Sequence, residues 1–301
     1  MDIAIIFIKV FIFLLLAPFF EGVIRKITAK VQSRQGPPVI QPYFDIIKLL
    51  GKQNFNAGNI LFSLAPLFAL SSIISAIALI PLGDQVNFLS KYADIITIIY
   101  LLTLGGVSVL LGALSSKNSY AILGSSREMI TMIMVEPVLA MTFIMGAVKM
   151  KSLVIDDAVF SIVRTGTGYG WSVIVMLLVY LMALMAFVGR QPFDISEAEV
   201  EILEGPFIEY SGPNYALFKY YLMLKQMFYT MLFVSVFIPF IQTGYYIADI
   251  IIQIFEVLVV FLFIALIGST NPRLRIDQAV KYYAVLIIIS LAAVGMAVYG
   301  M

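Results

Sequence analysis

The chain has 301 residues, of which 61% are hydrophobic and only 12% carry a charge. Ordinary soluble domains carry about twice that charged fraction. With a mean hydropathy of +1.01, this composition excludes a soluble globular fold, because such a fold could not bury so much apolar surface. The net charge of +1 provides no basic field of the kind that attracts nucleic acid. The composition therefore predicts a protein whose surroundings are the lipid bilayer, with no nucleic-acid partner.

Cysteine and histidine are both absent from the sequence. Disulfides, thiolate metal sites and cysteine nucleophiles are thereby excluded, and the commonest metal ligand and general base is missing. We therefore expect no catalytic residue, no metal site and no cofactor in this chain. If the chain serves a redox enzyme, other subunits carry the metals.

Eight apolar stretches are long enough to cross the hydrocarbon core of a bilayer, which takes roughly 20 residues. In chain order they cover residues 3–23, 58–82, 92–114, 127–149, 171–189, 215–241, 248–268 and 281–299. Backbone in lipid must satisfy its own hydrogen bonds, so each stretch is predicted to be a helix. The predicted fold class is all-α, a polytopic membrane protein with about eight transmembrane helices in a single domain over residues 1–301.

The basic residues are distributed unevenly between the two sides that an even number of spans defines. The first, third, fifth and seventh loops and their edges hold 12 of them: Arg25, Lys26, Lys30, Arg34, Lys48, Lys52, Lys117, Arg127, Arg190, Arg273, Arg275 and Lys281. The opposite side holds Lys91, Lys149, Lys151 and Arg164. Positive charge favours the cytoplasm, so we expect a multi-pass protein of the cell membrane with odd-numbered loops cytoplasmic and both termini outside.

Two of the loops predicted to be cytoplasmic are long, residues 24–57 and 189–214. The first contains the helix breaker Gly36-Pro37-Pro38, followed by a predicted short helix from Phe44 to Leu50. Its basic residues are open to two interpretations, a positive-inside anchor or a docking and carboxylate-pairing surface. They are Arg25, Lys26, Lys30 and Arg34.

The second long loop, loop five, concentrates acidic residues. Six carboxylates fall within 16 residues: Asp194, Glu197, Glu199, Glu201, Glu204 and Glu209. In a helix over residues 194–204, four of these (Asp194, Glu197, Glu201 and Glu204) would form one stripe and Glu199 would point elsewhere. Like charges on one face need cationic partners or shared protons. The alternative is a solvated acidic face.

Three of the charged residues within the predicted spans are candidates for a buried functional role: Glu136, which precedes Pro137, Lys225 and Glu256. Each costs roughly 2.5–3.5 kcal/mol on insertion scales, and such residues generally face a bundle interior or a water-filled cavity. The set is typical of a proton relay, because burial and pairing shift pKa values towards neutrality. The alternative is an ion pair that only fixes helix packing.

Two long motifs resemble one family. The string Arg34-Gln35-Gly36-Pro37-Pro38, with Gln41-Pro42 and the segment from Asp45 to Leu50, is similar to the first cytoplasmic loop of a complex I membrane subunit. That subunit joins the membrane arm to the peripheral electron-transfer arm. Loop five, from Pro192-Phe193-Asp194 to Gly212, resembles the other hallmark of the family. Arg127, nine residues before Glu136, also fits, and the resemblance covers essentially the whole chain.

Within this family, the residues of the first motif most resemble those of one group. The string Gln32-Ser33-Arg34-Gln35-Gly36-Pro37-Pro38 and the compact length resemble the energy-converting membrane-bound nickel–iron hydrogenases and the related ferredoxin-linked sulfane sulfur reductases. Quinone-reducing versions usually have Asn where Pro38 stands, which weighs against a quinone site.

The resemblance implies a membrane anchor and coupling subunit that links ferredoxin-driven electron transfer to proton or sodium translocation. The implied partners are soluble hydrogenase-like large and small subunits, an iron–sulfur subunit and antiporter-like membrane subunits, with iron–sulfur clusters and nickel–iron in those partners. The expected ion path uses Glu136, Lys225, Glu256 and the six loop-five carboxylates. The expected interface or pairing residues are Arg25, Lys26, Lys30, Arg34, Arg127 and Arg190. Alternatives are the same subunit in a sulfane sulfur reductase or quinone-reducing complex, a standalone ion transporter, and a purely structural anchor.

Overall fold

A computed structural model of the chain describes residues 2–54, 59–80, 89, 93–157, 170–238 and 246–300. The helices in these ranges are α1 (Asp2–Val31), α2 (Gln41–Leu50), α3 (Ile60–Leu79), α4 (Ile95–Ser115), α5 (Ser119–Met150), α6 (Trp171–Val188), α7 (Glu199–Ile202), α8 (Gly212–Phe237), α9 (Tyr246–Thr270) and α10 (Ile276–Val298). A 3-10 turn covers Gly205–Phe207, and an isolated antiparallel bridge joins Asp94 to Val154. The predicted all-α class is confirmed.

Seven of the helices in the described ranges are long and apolar enough to cross a membrane: α1, α3, α4, α5, α6, α9 and α10. The remaining predicted span corresponds to α8, which has 26 residues and is thus about 39 Å long. It carries Lys219, Lys225 and Gln226, which make it less apolar than the others. The expectation of about eight spans therefore agrees closely with the structure.

The central helix of the bundle is α8. Every residue from Gln226 to Phe237 is buried, and the helix packs against α1, α2, α3, α6 and α9. Because other helices rather than lipid surround it, α8 can present polar side chains to protein-lined space, which is where charged residues in membrane proteins are found.

A proline inside α1 helps to fix α1 against its neighbours. Pro18 has no backbone N–H, so the Leu14 carbonyl loses its intrahelical donor. The Tyr220 hydroxyl of α8 donates to that carbonyl at 2.5 Å, and the Tyr43 hydroxyl of α2 donates to the neighbouring Leu15 carbonyl. The replacement of a missing backbone donor by a side-chain hydroxyl matters in a membrane, because water is absent from the hydrocarbon core.

The first helix is longer than predicted. Its expected end was residue 23, but α1 continues to Val31, so Arg25, Lys26 and Lys30 lie on a helix rather than in a loop. The predicted short helix after Pro38 is confirmed and begins three residues earlier than expected, as α2 starts at Gln41.

After α1 the chain doubles back along it. A Cβ atom added to Gly36 would lie 2.6 Å from the Ala29 Cβ, and one added to Gly22 would lie 1.9 Å from the Val39 carbonyl oxygen. Gly22 therefore permits a direct approach of two backbone segments that any larger residue would prevent. This return brings α2 back to the side of α1.

The helix over residues 194–204, on which the expected carboxylate stripe was conditional, does not form. Only Glu199–Ile202 is helical, because Leu203 and Gly205 adopt positive φ angles of 57° and 51°. Phe193, Ile195 and Ile202 are buried, so the loop folds its apolar residues into the bundle in place of exposing one face of a helix. The expected stripe of four carboxylates is consequently not formed.

Candidate functional site: a charged cavity between α5 and α8

A cavity of about 380 Å³ lies between α4, α5, α6, α8 and loop five. Its volume has room on the order of ten water molecules. The charged side chains that line it are Glu21, Arg25, Glu128, Glu136, Arg190, Asp194, Glu197, Glu204, Lys219 and Lys225. The structure thus gathers charges from α1, α5, loop five and α8 around one polar space inside a membrane protein.

The cation of this cavity that faces α5 is Lys225. Its Nζ lies 3.7 Å from an oxygen of Glu128, and Glu136 lines the same cavity. Glu128 and Glu136 are eight residues apart on α5, a spacing that places both on the same side of a helix. Pro137 lies within α5 without ending it. Glu136 and Lys225 therefore line one cavity. The direct partner of Lys225 is a second carboxylate, that of Glu128.

Glu128 was not among the residues selected from the sequence. The signal that could have found it is its position eight residues before Glu136 on a helix. The neighbouring Arg127 points elsewhere, since its guanidinium donates to Glu201 at 2.6 Å. Glu21 was missed as well, because it follows the first apolar run directly. Only the folded structure buries it, at 5% exposure.

Glu197 is the carboxyl group of loop five that lies deepest among other charges. Burial raises its pKa, the carboxylates of Asp194 and Glu128 raise it further, and Lys225 and Arg190 lower it, with a net pKa of about 8. Asp194 accepts a hydrogen bond from Arg273 at 2.7 Å. The pKa of Glu197 therefore lies close enough to neutrality for this carboxyl group to gain or lose a proton within the cavity.

Arg190 joins loop five to α1 and α8. It forms an ion pair with Glu21, which also accepts a hydrogen bond from Arg25 Nε at 2.9 Å. Gln226, with its amide oxygen directed at Arg190, accepts from Nε at 2.6 Å. Burial lowers the pKa of Arg190, but the Glu21 carboxylate more than offsets this and raises it. Arg25 continues the network to Asp45 of α2 at 3.1 Å.

In the described part of the structure, the carboxylates that pair with a loop-one cation are Glu21 and Asp45 rather than those of loop five. Arg25 binds Glu21 and Asp45, and Lys26 donates to the Gly36 carbonyl at 3.2 Å. Lys30 and Arg34 are exposed. The reason is the length of α1, which carries the last basic residues beyond the level of loop five.

Loop-five carboxylates find their partners on other elements. Besides the pairs of Asp194 and Glu201 with arginines, Glu209 accepts a hydrogen bond from Asn118 Nδ2 at 2.5 Å, and Glu204 accepts from the Tyr215 hydroxyl at 3.3 Å. Glu201 is largely exposed, at 57% of its side chain. The side chain of Glu199 lies outside the described part of the structure. Loop five is therefore a mixture of cavity-lining and surface carboxylates.

Glu256 lies away from this cavity. It is on α9, which packs against α1 and α8, and it is not in the cavity lining. The structure thus brings together Glu136, Lys225, Asp194, Glu197 and Glu204 but not Glu256. In the described ranges, no group of three or more Asp or Glu side chains is placed to hold a metal ion.

An all-helical membrane bundle with a charged cavity beneath an acidic loop defines a polytopic membrane protein built around buried ionisable groups. A profile of the NADH dehydrogenase family (NADHdh) matches residues 3–298, and the chain belongs to that family. The resemblance to the complex I membrane subunit is thereby confirmed.

Relatives of the chain are subunits of several redox enzymes. It is 32% identical over 275 residues to hydrogenase-4 component C of Escherichia coli (strain K12), covering 88% of this chain and 86% of the relative. It is 31% identical over 283 residues to formate hydrogenlyase subunit 4 of the same organism, covering 90% of each. A subunit of the NADH-quinone oxidoreductase of Dehalococcoides mccartyi (strain CBDB1) is 31% identical over 276 residues, covering 86% and 74%.

The fold is also similar to a solved structure. A chain of the membrane-bound sulfane sulfur reductase (MBS), an archaeal respiratory membrane complex, superposes with a TM-score of 0.85 at 28% identity, covering 97% of this chain and 99% of that one. The chain is therefore a membrane subunit of the complex I-related type, and its relatives belong to hydrogenase and complex I-like assemblies.

Proposed function

We propose that this chain is the membrane anchor and coupling subunit of a complex I-related redox complex of the membrane-bound hydrogenase type. In that complex it links ferredoxin-driven electron transfer to the translocation of protons or sodium ions. The observation that carries the proposal is the cavity in which Lys225 faces Glu128 and Glu136 below Glu197. Ionisable residues inside membrane domains are expensive and mark ion pathways.

The coupling uses charge changes at loop five. An electron arriving beside this loop adds negative charge, which favours protonation of Glu197. A shift of one pKa unit corresponds to about 1.4 kcal/mol, and carboxyl groups this close titrate as a set. Protonation of Glu197 removes its negative charge and weakens its attraction for the ammonium group of Lys225. The ammonium group then favours the carboxylates of α5. The charge change is thereby passed from the loop to Glu128 and Glu136 inside the bundle.

The partners follow from the relatives. Hydrogenase-4 component C and formate hydrogenlyase subunit 4 are by name parts of larger enzymes, which supports assembly with hydrogenase-like large and small subunits, an iron–sulfur subunit and antiporter-like membrane subunits. The iron–sulfur clusters and nickel–iron belong to those partners, because this chain has no cysteine.

The proposed orientation has the odd-numbered loops in the cytoplasm and both termini outside. The ion pair between Glu21 at the end of the first span and Arg190 of loop five supports placing the first and fifth loops on one side. The excess of basic residues on that side supports the cytoplasm.

A sulfane sulfur reductase is the second candidate for the complex, supported by the TM-score of 0.85 with a chain of such an enzyme. A quinone site is disfavoured by the number of charged groups that line the cavity, since ligand sites for apolar molecules are mostly apolar. A standalone transporter is disfavoured by relatives that are subunits. Hydrogen evolution and sulfide formation, assayed on the purified complex, distinguish the first two.

The test uses the complete complex reconstituted into vesicles, with ion uptake and redox turnover measured together. Glu128→Gln and Glu136→Gln are expected to lower ion uptake per turnover about tenfold, while the complex still assembles. Glu201→Gln is the matched control, because Glu201 is largely exposed and paired with Arg127. Undiminished uptake per turnover in both cavity variants contradicts the proposal.

A further inference from the structure

One side of α2 exposes an apolar stripe. Ile40, Phe44, Ile47 and Leu50 are 56%, 59%, 64% and 51% exposed, and their spacing of four, three and three residues places them along one side of the helix. Pro42 is buried on another side, where α2 packs against α1 and α8. The helix therefore has two apolar sides, and the residues that the structure describes pack against one of them.

A narrow polar strip separates the two apolar sides. At 100° per residue, Gln41, Asp45 and Lys48 fall within about 60° of one another, and Lys52 follows two residues after the end of the helix. Asp45 accepts hydrogen bonds from Gln41 and Arg25, both at 3.1 Å, whereas Lys48 and Lys52 are exposed. An apolar stripe flanked by lysines is the pattern of helices that lie in the plane of a membrane surface.

The depth of α2 along α1 agrees with such a position. The apolar run of α1 ends at Phe20 and Glu21 follows, so the helix leaves the hydrocarbon there and continues for about 15 Å to Val31. The chain then returns beside α1, and the Tyr43 hydroxyl reaches the Leu15 carbonyl. The start of α2 consequently lies at the level where α1 emerges from the bilayer.

The exposed stripe of α2 continues a surface that faces lipid. On the spanning part of α1, Phe7, Phe11, Leu15 and Phe19 recur every four residues and are 71%, 64%, 50% and 38% exposed. This row ends beside Tyr43 of α2 and is followed by the stripe of α2. Because these two apolar surfaces adjoin each other at the edge of the bilayer, we expect lipid to cover both of them.

We propose that α2 is an interfacial lipid-binding helix specific for anionic phospholipid. The stripe of Ile40, Phe44, Ile47 and Leu50 lies among acyl chains, and the ammonium groups of Lys48 and Lys52 bind headgroup phosphates. Positive charges beside an anionic membrane surface are attracted within a Debye length. The seated helix also holds Asp45 in place, and through Arg25 and Glu21 it positions Arg190 at the cavity.

The first experiment asks what covers the stripe. A genetically encoded fluorescent amino acid replaces Phe44 or Ile47 in the assembled complex, which is reconstituted with lipids brominated in their acyl chains. Quenching of at least half the signal is expected, similar to that at Phe11, whereas Arg34 beyond the end of α1 should show little. Quenching at positions 44 and 47 no greater than at position 34 overturns the proposal and indicates water or a partner subunit on this surface.

The second experiment asks which lipid is bound. With the fluorophore at position 44, a brominated anionic lipid is compared with a brominated zwitterionic lipid at equal mole fraction. The anionic lipid is expected to quench about twice as strongly, and Lys48→Gln with Lys52→Gln should bring the ratio to one. Lys281→Gln, on α10, is the control. A ratio of one in the unaltered chain, or one that the paired substitution leaves unchanged, overturns the anionic preference.

Discussion

Lys225 of α8 and Glu128 of α5 lie 3.7 Å apart across the cavity, and they join the central helix of the bundle to the helix that also carries Glu136. The two residues are far apart in the sequence and lie on different helices. Their pairing therefore depends on α6, which packs against both α5 and α8 and holds these two helices on either side of the cavity.

Removing the ammonium group is expected to destabilise the fold. Lys225→Gln leaves Glu128 and Glu136 facing one cavity without their cation, which we expect to lower the free energy of unfolding by about 1–3 kcal/mol. Thermal unfolding of the purified complex measures this. Adding Glu128→Gln should recover part of the loss, since the interaction term of a double-mutant cycle isolates the pair. Additive losses would contradict a direct interaction.

The stability contributed by Glu197 should depend on pH. Its pKa is raised from 4.5 to about 8 in the folded protein, so the folded state binds this proton more tightly than the unfolded state. The resulting stability is fully present below pH 4.5 and is lost as the pH rises through about 8. Glu197→Gln should remove this part of the pH dependence, and Glu201→Gln should not. Parallel profiles for Glu197→Gln and the unaltered chain between pH 5 and 9 would refute the assignment.

Close packing of loop five on α5 depends on a glycine. A Cβ atom on Gly124 would lie 2.7 Å from the Gly205 Cα and the Pro206 Cδ, so Gly124→Ala should push the loop away and cost about 1–3 kcal/mol. Gly295→Ala on α10 is the matched control, because nothing lies within 4 Å of its added Cβ. That control should be neutral or stabilising by up to about 1 kcal/mol. Equal effects of the two substitutions on the unfolding temperature would count against the packing argument.

The hydrogen bond at Pro18 predicts a compensating pair of substitutions. Tyr220→Phe removes the donor to the Leu14 carbonyl and should cost about 1–2 kcal/mol. Pro18→Ala restores a backbone N–H at residue 18, so Tyr220→Phe should cost much less in that background. A double-mutant cycle followed by thermal unfolding provides the measurement. An unchanged cost in the Pro18→Ala background would show that the carbonyl does not need this donor.

The apolar runs were sufficient to predict the helices, because a membrane-spanning backbone has few alternatives to a helix. They also predicted that Glu136 and Lys225 face protein, since a charge facing lipid is costly. Helix ends were less certain: α1 runs eight residues past its expected end, because the polar residues after Glu21 continue a helix that the bilayer no longer requires. The carboxylates of loop five have a spacing that would form one stripe in a helix, but the buried Phe193 and Ile195 determine a different path for this loop.

The sequence by itself determined the class of protein, its helices and the two loops that define its family, since these depend on residue types and local spacing. The tertiary structure decided which charges meet. Only the packing of α8 against α1, α2 and α6, and of loop five against α5, places Glu128 beside Lys225 and Glu21 beside Arg190, and leaves Glu256 on another side of the bundle. Electrostatic energy depends on distances between groups, and those distances are set by side chains from segments that are remote in the chain.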